Sequence, residues 1–449
     1  MIGLSRVQWI GLIAGLALLV GYIGLFSWTM GSQSYNTWGA FIVFPVIVLV
    51  NAMLVWRAGR IEKDSFVTGL LIVGLFLKSI GVLFRYYSVF FLYDGAGDAK
   101  RYNDIAALYY AQWREGNFAF QAGAGGEGTQ AMEVVTTALY TLIGPSPLLG
   151  FFVFASFAFW GTYLIFRAFR TALPGGDYRR YAVLLFLLPS LIFWPSSIGK
   201  ESWLLFFVGL FAFGAAQFFS GRLTGLGWLV AATVGMAIIR PHFAVLLMAA
   251  AATAQVLRPT DKSPLSIVAK AAGSVVMVVG VAYLTLSAAD FLNISDLSTE
   301  AVVDKVTEAG RNTGQGGSAF VPVPLGSPIG IPAAMVTILF RPFPWEAMNA
   351  QMLAQGLEGL VLAILLVRAW PRLKRLPLLL RTNAYITFAV LYSVGFILVF
   401  AGFANFGILA RQRVLMLPFF LILLALPAVA EEVANKSGRK RLELSHAGR

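Results

Sequence analysis

Apolar residues in this chain arrive in blocks near 20 long, the length a helix needs to cross about 30 Å of hydrocarbon. That spacing excludes most soluble folds at once. Of 449 residues, 58% are hydrophobic and 12% are charged, whereas soluble chains carry roughly 25% charged residues. The spans read by length and hydropathy are 7–29, 38–56, 66–92, 147–166, 181–194, 201–219, 225–239, 242–257, 267–288, 347–369, 383–400 and 410–428, about 12 in all. The stretch 331–340 is too short to cross alone and reads as re-entrant. Met1–Met30 reads as the first span, since its apolar run is long and no A-x-A-like cleavage site follows.

The expected class is an all-α polytopic transmembrane protein with one transmembrane domain over 1–430 and a basic tail over 431–449. No internal repeat and no separate soluble domain is visible. The formal net charge of +13 argues little for nucleic acid, because the excess sits in short loops, where Lys and Arg set orientation. Arg57, Arg60 and Lys63, then Arg167 to Arg180, Arg222, Arg258, Lys262, the run Arg368–Arg381 and Lys436–Arg441 all fall on one side, with both termini. That side is the cytoplasm under the positive-inside rule, and an even span count agrees with it. With no cysteine in the chain, disulfides and thiol chemistry are excluded.

Two long loops then face outward, 93–146 and 289–330. Asp98–Glu115 reads as an amphipathic helix with Tyr102, Tyr109, Tyr110 and Trp113 at headgroup level. Gly123–Gly128 is a flexible break before the helix-like Met132–Ile143, and Gly310–Gly317 reads as mobile. Asn293-Ile-Ser295 fits a glycosylation sequon, a pattern frequent by chance.

Five charged clusters interrupt apolar sequence on the outer side, where charge marks cavities and sites. The first is Asp94-Gly-Ala-Gly-Asp98; either Asp could serve as a general base, and Asp98 could equally cap the next helix. In the second, Pro195-Ser-Ser-Ile-Gly-Lys200-Glu201, Lys200 could bind phosphate at a helix N-terminus, or pair with Glu201 to hold a hairpin. It is not a Walker A loop, which would need Gly where Trp194 stands and Ser or Thr where Glu201 stands. The third is Arg240-Pro241-His242, with Arg240 a candidate anion ligand and His242 a base or a hydrogen-bonded structural residue. The fourth, Arg341-Pro-Phe-Pro-Trp345-Glu346, suits a sugar ring or the membrane edge. In the fifth, Asn405-Phe-Gly-Ile-Leu-Ala-Arg411-Gln-Arg413, two arginines invite a dianion or snorkel to headgroups. Together they supply candidate catalytic groups (Asp94, Asp98, Glu201, His242) and candidate substrate ligands (Lys200, Arg240, Arg341, Trp345, Glu346, Arg411, Arg413). No cofactor is expected; Asp94, Asp98 and Glu201 could offer oxygen to a divalent metal, but none is required.

The run Pro189–Glu201, then Arg240-Pro-His242, Arg341-Pro-Phe-Pro-Trp-Glu346 and Ala410-Arg-Gln-Arg413, resembles bacterial exopolysaccharide polymerase-like and GT-C-like membrane glycosyltransferases over about residues 90–420. The resemblance implies a GT-C-like fold in the inner membrane, an undecaprenyl-(pyro)phosphate-linked sugar donor, a periplasmic active site and polysaccharide assembly and export proteins as partners. In GT-C enzymes an acidic residue sits in the first external loop, a place similar to that of Asp98, although two extra spans precede it here. Polymerases rely on arginines and sometimes a histidine, which points to Arg240, His242, Arg411 and Arg413. The sequence leaves two other classes open: a transporter or flippase of an anionic or lipid-linked substrate, for which Glu358 is the main charge deep in a span, and a non-catalytic assembly subunit.

Overall fold

A computed structural model describes residues 6–93, 97–123, 125–259, 264–291, 308, 310–314 and 316–427. Asp94, the tail beyond 427 and most of 289–315, including the sequon, lie outside these. The structure is 80% helical, and among the described residues the sole sheet-like feature is an isolated bridge between Ala319 and Asn405. The chain is an all-α membrane protein. Among the described residues seven helices are long and apolar enough to cross a bilayer, or up to nine if each of two bent pairs forms one span.

In chain order the first helices are α1 (Arg6–Ser32), α2 (Tyr35–Glu62) and α3 (Ser65–Tyr87), the last extended by a π-helical turn at Ser88–Leu92. Two helices follow outside the apolar spans, α4 (Asp98–Arg114) and α5 (Glu127–Ile143). Then come α6 (Pro147–Ala172), α7 (Tyr178–Leu187), the short α8 (Pro189–Phe193), α9 (Lys200–Phe219), α10 (Thr224–Ala237), α11 (Pro241–Leu257) and α12 (Pro264–Phe291). The C-terminal part holds α13 (Gly330–Phe340), α14 (Ala350–Arg368), α15 (Trp370–Leu373), α16 (Leu376–Thr382), α17 (Ala384–Phe400), α18 (Phe406–Arg413) and α19 (Leu417–Leu424).

Every stretch read from hydropathy is helical, but several are short or broken. Helix α10 has 14 residues, about 21 Å at 1.5 Å per residue, less than the hydrocarbon thickness. The breaks have local causes. Pro189 and Pro241 each stand at the first position of a helix, where a missing N–H costs nothing and the preceding residue is pushed out of helical geometry. Between α16 and α17 the chain bends by 114° and between α18 and α19 by 68°. Asn383 makes the first bend a new start, its side chain accepting from Tyr385 N at 3.0 Å and Ile386 N at 3.1 Å.

Helices α6 and α9 form the most intimate packing. A Cβ added at Gly209 would stand 2.0 Å from the Gly161 carbonyl oxygen, so the two backbones touch, as small residues permit between membrane helices. Gly209→Ala is therefore expected to destabilise the fold by about 1–3 kcal/mol through overpacking, read as a shift in thermal unfolding of the detergent-solubilised protein. An unchanged transition would mean the helices part without cost.

Charged side chains gather at both ends of α3, some 34 Å apart by helical rise. At its start, Glu62 receives Arg170, Arg167 at 3.3 Å and Tyr163 at 3.0 Å. Asp64 caps α3 and takes Tyr178 at 2.8 Å and Arg179 at 3.0 Å. Burial works against the Asp64 charge, but these hydrogen bonds outweigh it and hold the carboxyl below its ordinary range. Arg372 joins Asp177 at 3.0 Å to the Leu426 carbonyl at 2.8 Å at this end. The opposite end holds the charged clusters around Asp98, Glu201 and Arg411.

Candidate functional site

Helix α18 is the hub. Asn405 starts it by accepting from Ile408 N at 3.1 Å. Its last turn sends three consecutive side chains in three directions, as 100° per residue requires. Arg411 reaches the N-terminal turns of two other helices. Its Nη2 donates to Asp98 Oδ2 at 3.3 Å and to Glu201 Oε1 at 3.1 Å, with Nε 3.3 Å from the same Glu201 oxygen. Gln412 donates to Glu201 at 3.3 Å and accepts a hydrogen bond from Arg240 Nη1. Arg413 turns away into the protein. It is 1% exposed, donates to the Arg341 carbonyl at 3.0 Å and pairs with Glu358 at 3.6 Å.

The sequence places each partner where it is needed. Gly97 is extended and lets α4 begin at Asp98; the Asp98 carboxylate is half-exposed. Gly199 is likewise extended before Lys200 and Glu201 open α9. Lys200 does not pair with Glu201. Its Nζ donates to Thr129 of α5 at 2.8 Å, so the hairpin reading of a local Lys–Glu pair is replaced by two longer-range contacts. Arg240 stands at the N-cap of α11 with its guanidinium over Phe243 at 5.9 Å. His242 lies in the first turn of α11, its ring 5.0 Å from that of Phe243, close to Arg240 and Lys200. Asp94 lies outside the described residues.

Asp98, Glu201 and Arg411 line a cavity of about 260 Å³ with Arg85, Tyr93 and Gln355. Tyr102 of α4 is fully buried beside it. Burial, with Asp98 and Glu201 nearby, pushes the Tyr102 phenol up, so it stays protonated. Arg101 of α4 binds Glu133 of α5 at 2.8 Å, and Glu133 also accepts from Gly123 N at 2.9 Å, tying the glycine-rich segment to both helices.

Arg341, Trp345 and Glu346 form a neighbouring group. Arg341 grips Glu346 through Nη2 at 2.5 Å and Nε at 3.0 Å and lies 5.0 Å from the rings of both Phe320 and Phe406, which stack at 4.2 Å. Burial would raise the Glu346 carboxyl, but Arg341 and the Phe343 N–H outweigh it and hold it low. Trp345 is 76% exposed and stacks on Phe343 at 4.8 Å. The Phe320–Phe406 stack thus adjoins this group, while Ser318 and Asn405, hydrogen-bonded at 2.8 Å, face the cavity.

The clusters thus meet as Asp98–Arg411–Glu201–Gln412–Arg240, with Lys200 and His242 adjoining, Arg341 one layer away and Arg413 buried behind. Among the described residues no three His, Asp or Glu side chains are grouped to hold a metal. Arg85, Gln355 and Gln412 escaped the sequence reading as site residues, and Tyr102, read at headgroup level, is instead buried beside the cavity. For Arg85 a signal existed: a cation inside the apolar run 66–92, which is costly unless it lines a site. No family model, no curated protein and no solved structure matches the chain.

Proposed function

We propose that the protein is a membrane glycosyltransferase or repeat-unit polymerase, GT-C-like, that transfers sugar from a polyprenyl-(pyro)phosphate donor in cell-surface polysaccharide assembly. The observation that carries this reading is Arg411 bridging Asp98 and Glu201 in one polar cavity at the ends of apolar helices. Four cations, Arg85, Lys200, Arg240 and Arg411, act on this pair of carboxylates, an excess suited to an anionic leaving group.

In the proposed reaction Asp98 takes the proton of the acceptor hydroxyl. The acceptor oxygen bonds to the anomeric carbon as the bond from that carbon to the phosphate oxygen breaks, and the phosphate leaves with the electron pair. The arginines stabilise the charge that develops on it. Glu201, 7% exposed and engaged by Arg411 and Gln412, orients Arg411. The lipid tail remains in the bilayer. A periplasmic site in a bacterial inner membrane, both termini in the cytoplasm and about 12 crossings, some by short helices, complete the proposal. It draws support from the position of the basic residues Arg170, Arg179 and Arg372 at the opposite end of α3. The transport reading has less support, because Glu358 in the middle of α14 is fully engaged, accepting from Ser190 N at 2.7 Å and Ser190 Oγ at 2.5 Å as well as pairing with Arg413.

Asp98→Asn tests it. In purified protein supplied with undecaprenyl-linked sugar, product lengthening is expected to slow about 100-fold or more, the usual contribution of a positioned base, while the protein stays folded. Transfer within twofold of the unaltered protein would remove Asp98 from the chemistry.

A further inference from the structure

Arg85 stands apart from the other cations of the site. Arg411 is held by two carboxylates, Arg240 by Gln412 and Lys200 by Thr129. Among the described residues the Arg85 guanidinium makes no hydrogen bond or ion pair; its Nε is buried without a partner, and the group rests over the rings of Phe193 at 5.3 Å and Trp194 at 5.0 Å. Leaving that buried donor unsatisfied is costly. It lines the same cavity as Gln355, which is 6% exposed and whose Oε1 is a buried acceptor without a partner. One wall therefore offers an unused planar donor set and the other an unused acceptor.

A ligand that satisfies both carries an anionic oxygen for Arg85 and a hydroxyl for Gln355. Tyr93 and Gln351, joined at 2.9 Å, add further polar groups to the lining. One turn below Arg85 on α3, Val82 borders an apolar groove of about 530 Å³ between α2, α3 and α6 that also includes Ile72 and Leu75. An apolar chain in that groove would bring its head group to the level of Arg85.

We infer that Arg85 is the primary ligand of the substrate phosphate and Gln355 the acceptor for a hydroxyl of the sugar it carries, a division of labour that rests on the transferase reading. The shared chemistry is a phosphate ester bearing hydroxyl groups, and the groove favours its lipid-linked form. Arg fits phosphate in a fork that Lys lacks, so the side chain matters beyond its charge.

The test is binding to the full-length protein in nanodiscs. The probes are undecaprenyl phosphate, a hexose-bearing undecaprenyl phosphate, uncharged undecaprenol and inorganic pyrophosphate. Arg85→Gln is expected to weaken both phosphate lipids at least tenfold and leave undecaprenol unaffected. Gln355→Leu is expected to weaken only the hexose-bearing lipid, by at least threefold. Should Arg85→Gln not fold, Arg85→Lys serves, with a loss of at least threefold expected. Pyrophosphate binding that depends on Arg85 without lipid binding would assign the site to a soluble phosphate and keep Arg85 as its ligand. Equal affinity of the Arg85 variants and the unaltered protein for every phosphate probe would overturn the inference. Arg85-dependent binding without sugar transfer would instead remove the transferase reading and leave Arg85 in place, and full-rate transfer by Arg85→Gln would do the reverse.

Discussion

Arg411→Ala is expected to abolish sugar transfer and to lower stability by about 3 kcal/mol, the cost of stranding a buried carboxylate. The carboxylate is Glu201, whose remaining side-chain partner would be Gln412 at 3.3 Å. Asp98 would lose its link to the bundle as well. Two effects are folded into this one change, and a second variant separates them. Adding Glu201→Gln to Arg411→Ala removes the stranded charge, so most of the stability should return while transfer stays lost. Thermal unfolding in detergent reads the first quantity and product lengthening the second. Arg411→Lys should fall between, because an ammonium keeps the charge but not the fork that spans two carboxylates. An Arg411→Ala protein that unfolds with the unaltered protein would show that the bridge contributes nothing.

The other large effect is expected behind the cavity, where Arg413 meets Glu358. Arg413→Met leaves Glu358 without its cation in a position 6% exposed, at a cost of about 3–5 kcal/mol. Replacing both, as Arg413→Met with Glu358→Leu, should recover most of that loss, since apolar groups of similar volume often replace a buried pair without penalty. Ser190 would then lose the acceptor of both its N–H and its Oγ, so the recovery should be incomplete by about 2 kcal/mol, the worth of two ordinary hydrogen bonds. Unfolding of the single and double variants side by side checks this; a double variant no better than the single would mean that packing, not charge, dominates there.

The spans and their breaks were legible because hydropathy and proline act locally. Blocks near 20 residues demand helices, and Pro189 and Pro241 interrupt them wherever the rest of the chain lies. The gathering of Asp98, Glu201, Arg240 and Arg411 was legible as a tendency, since all of them break apolar sequence at the same ends of helices. Their pairing was not. Arg411 and Arg413 are two residues apart and look alike in sequence, yet helical geometry sets them about 200° apart, and tertiary packing decides which one meets the cavity. Lys200 and Glu201 are adjacent and of opposite charge, so a local pair stood as the alternative to a phosphate ligand; the orientation of α9 against α5 and α18 separates them. Arg85 was overlooked because one cation does little to the hydropathy of a 28-residue stretch. Its importance shows only when Phe193 and Trp194, more than 100 positions later, are seen beneath it.

The final turn of α18 is fastened on two sides. Arg411 is thrown toward the cavity and Arg413 toward the interior from the same short cylinder, so rotation about its axis withdraws both together. A change that turned this cylinder would therefore break the contacts to Asp98 and Glu201 on one side and to Glu358 on the other together.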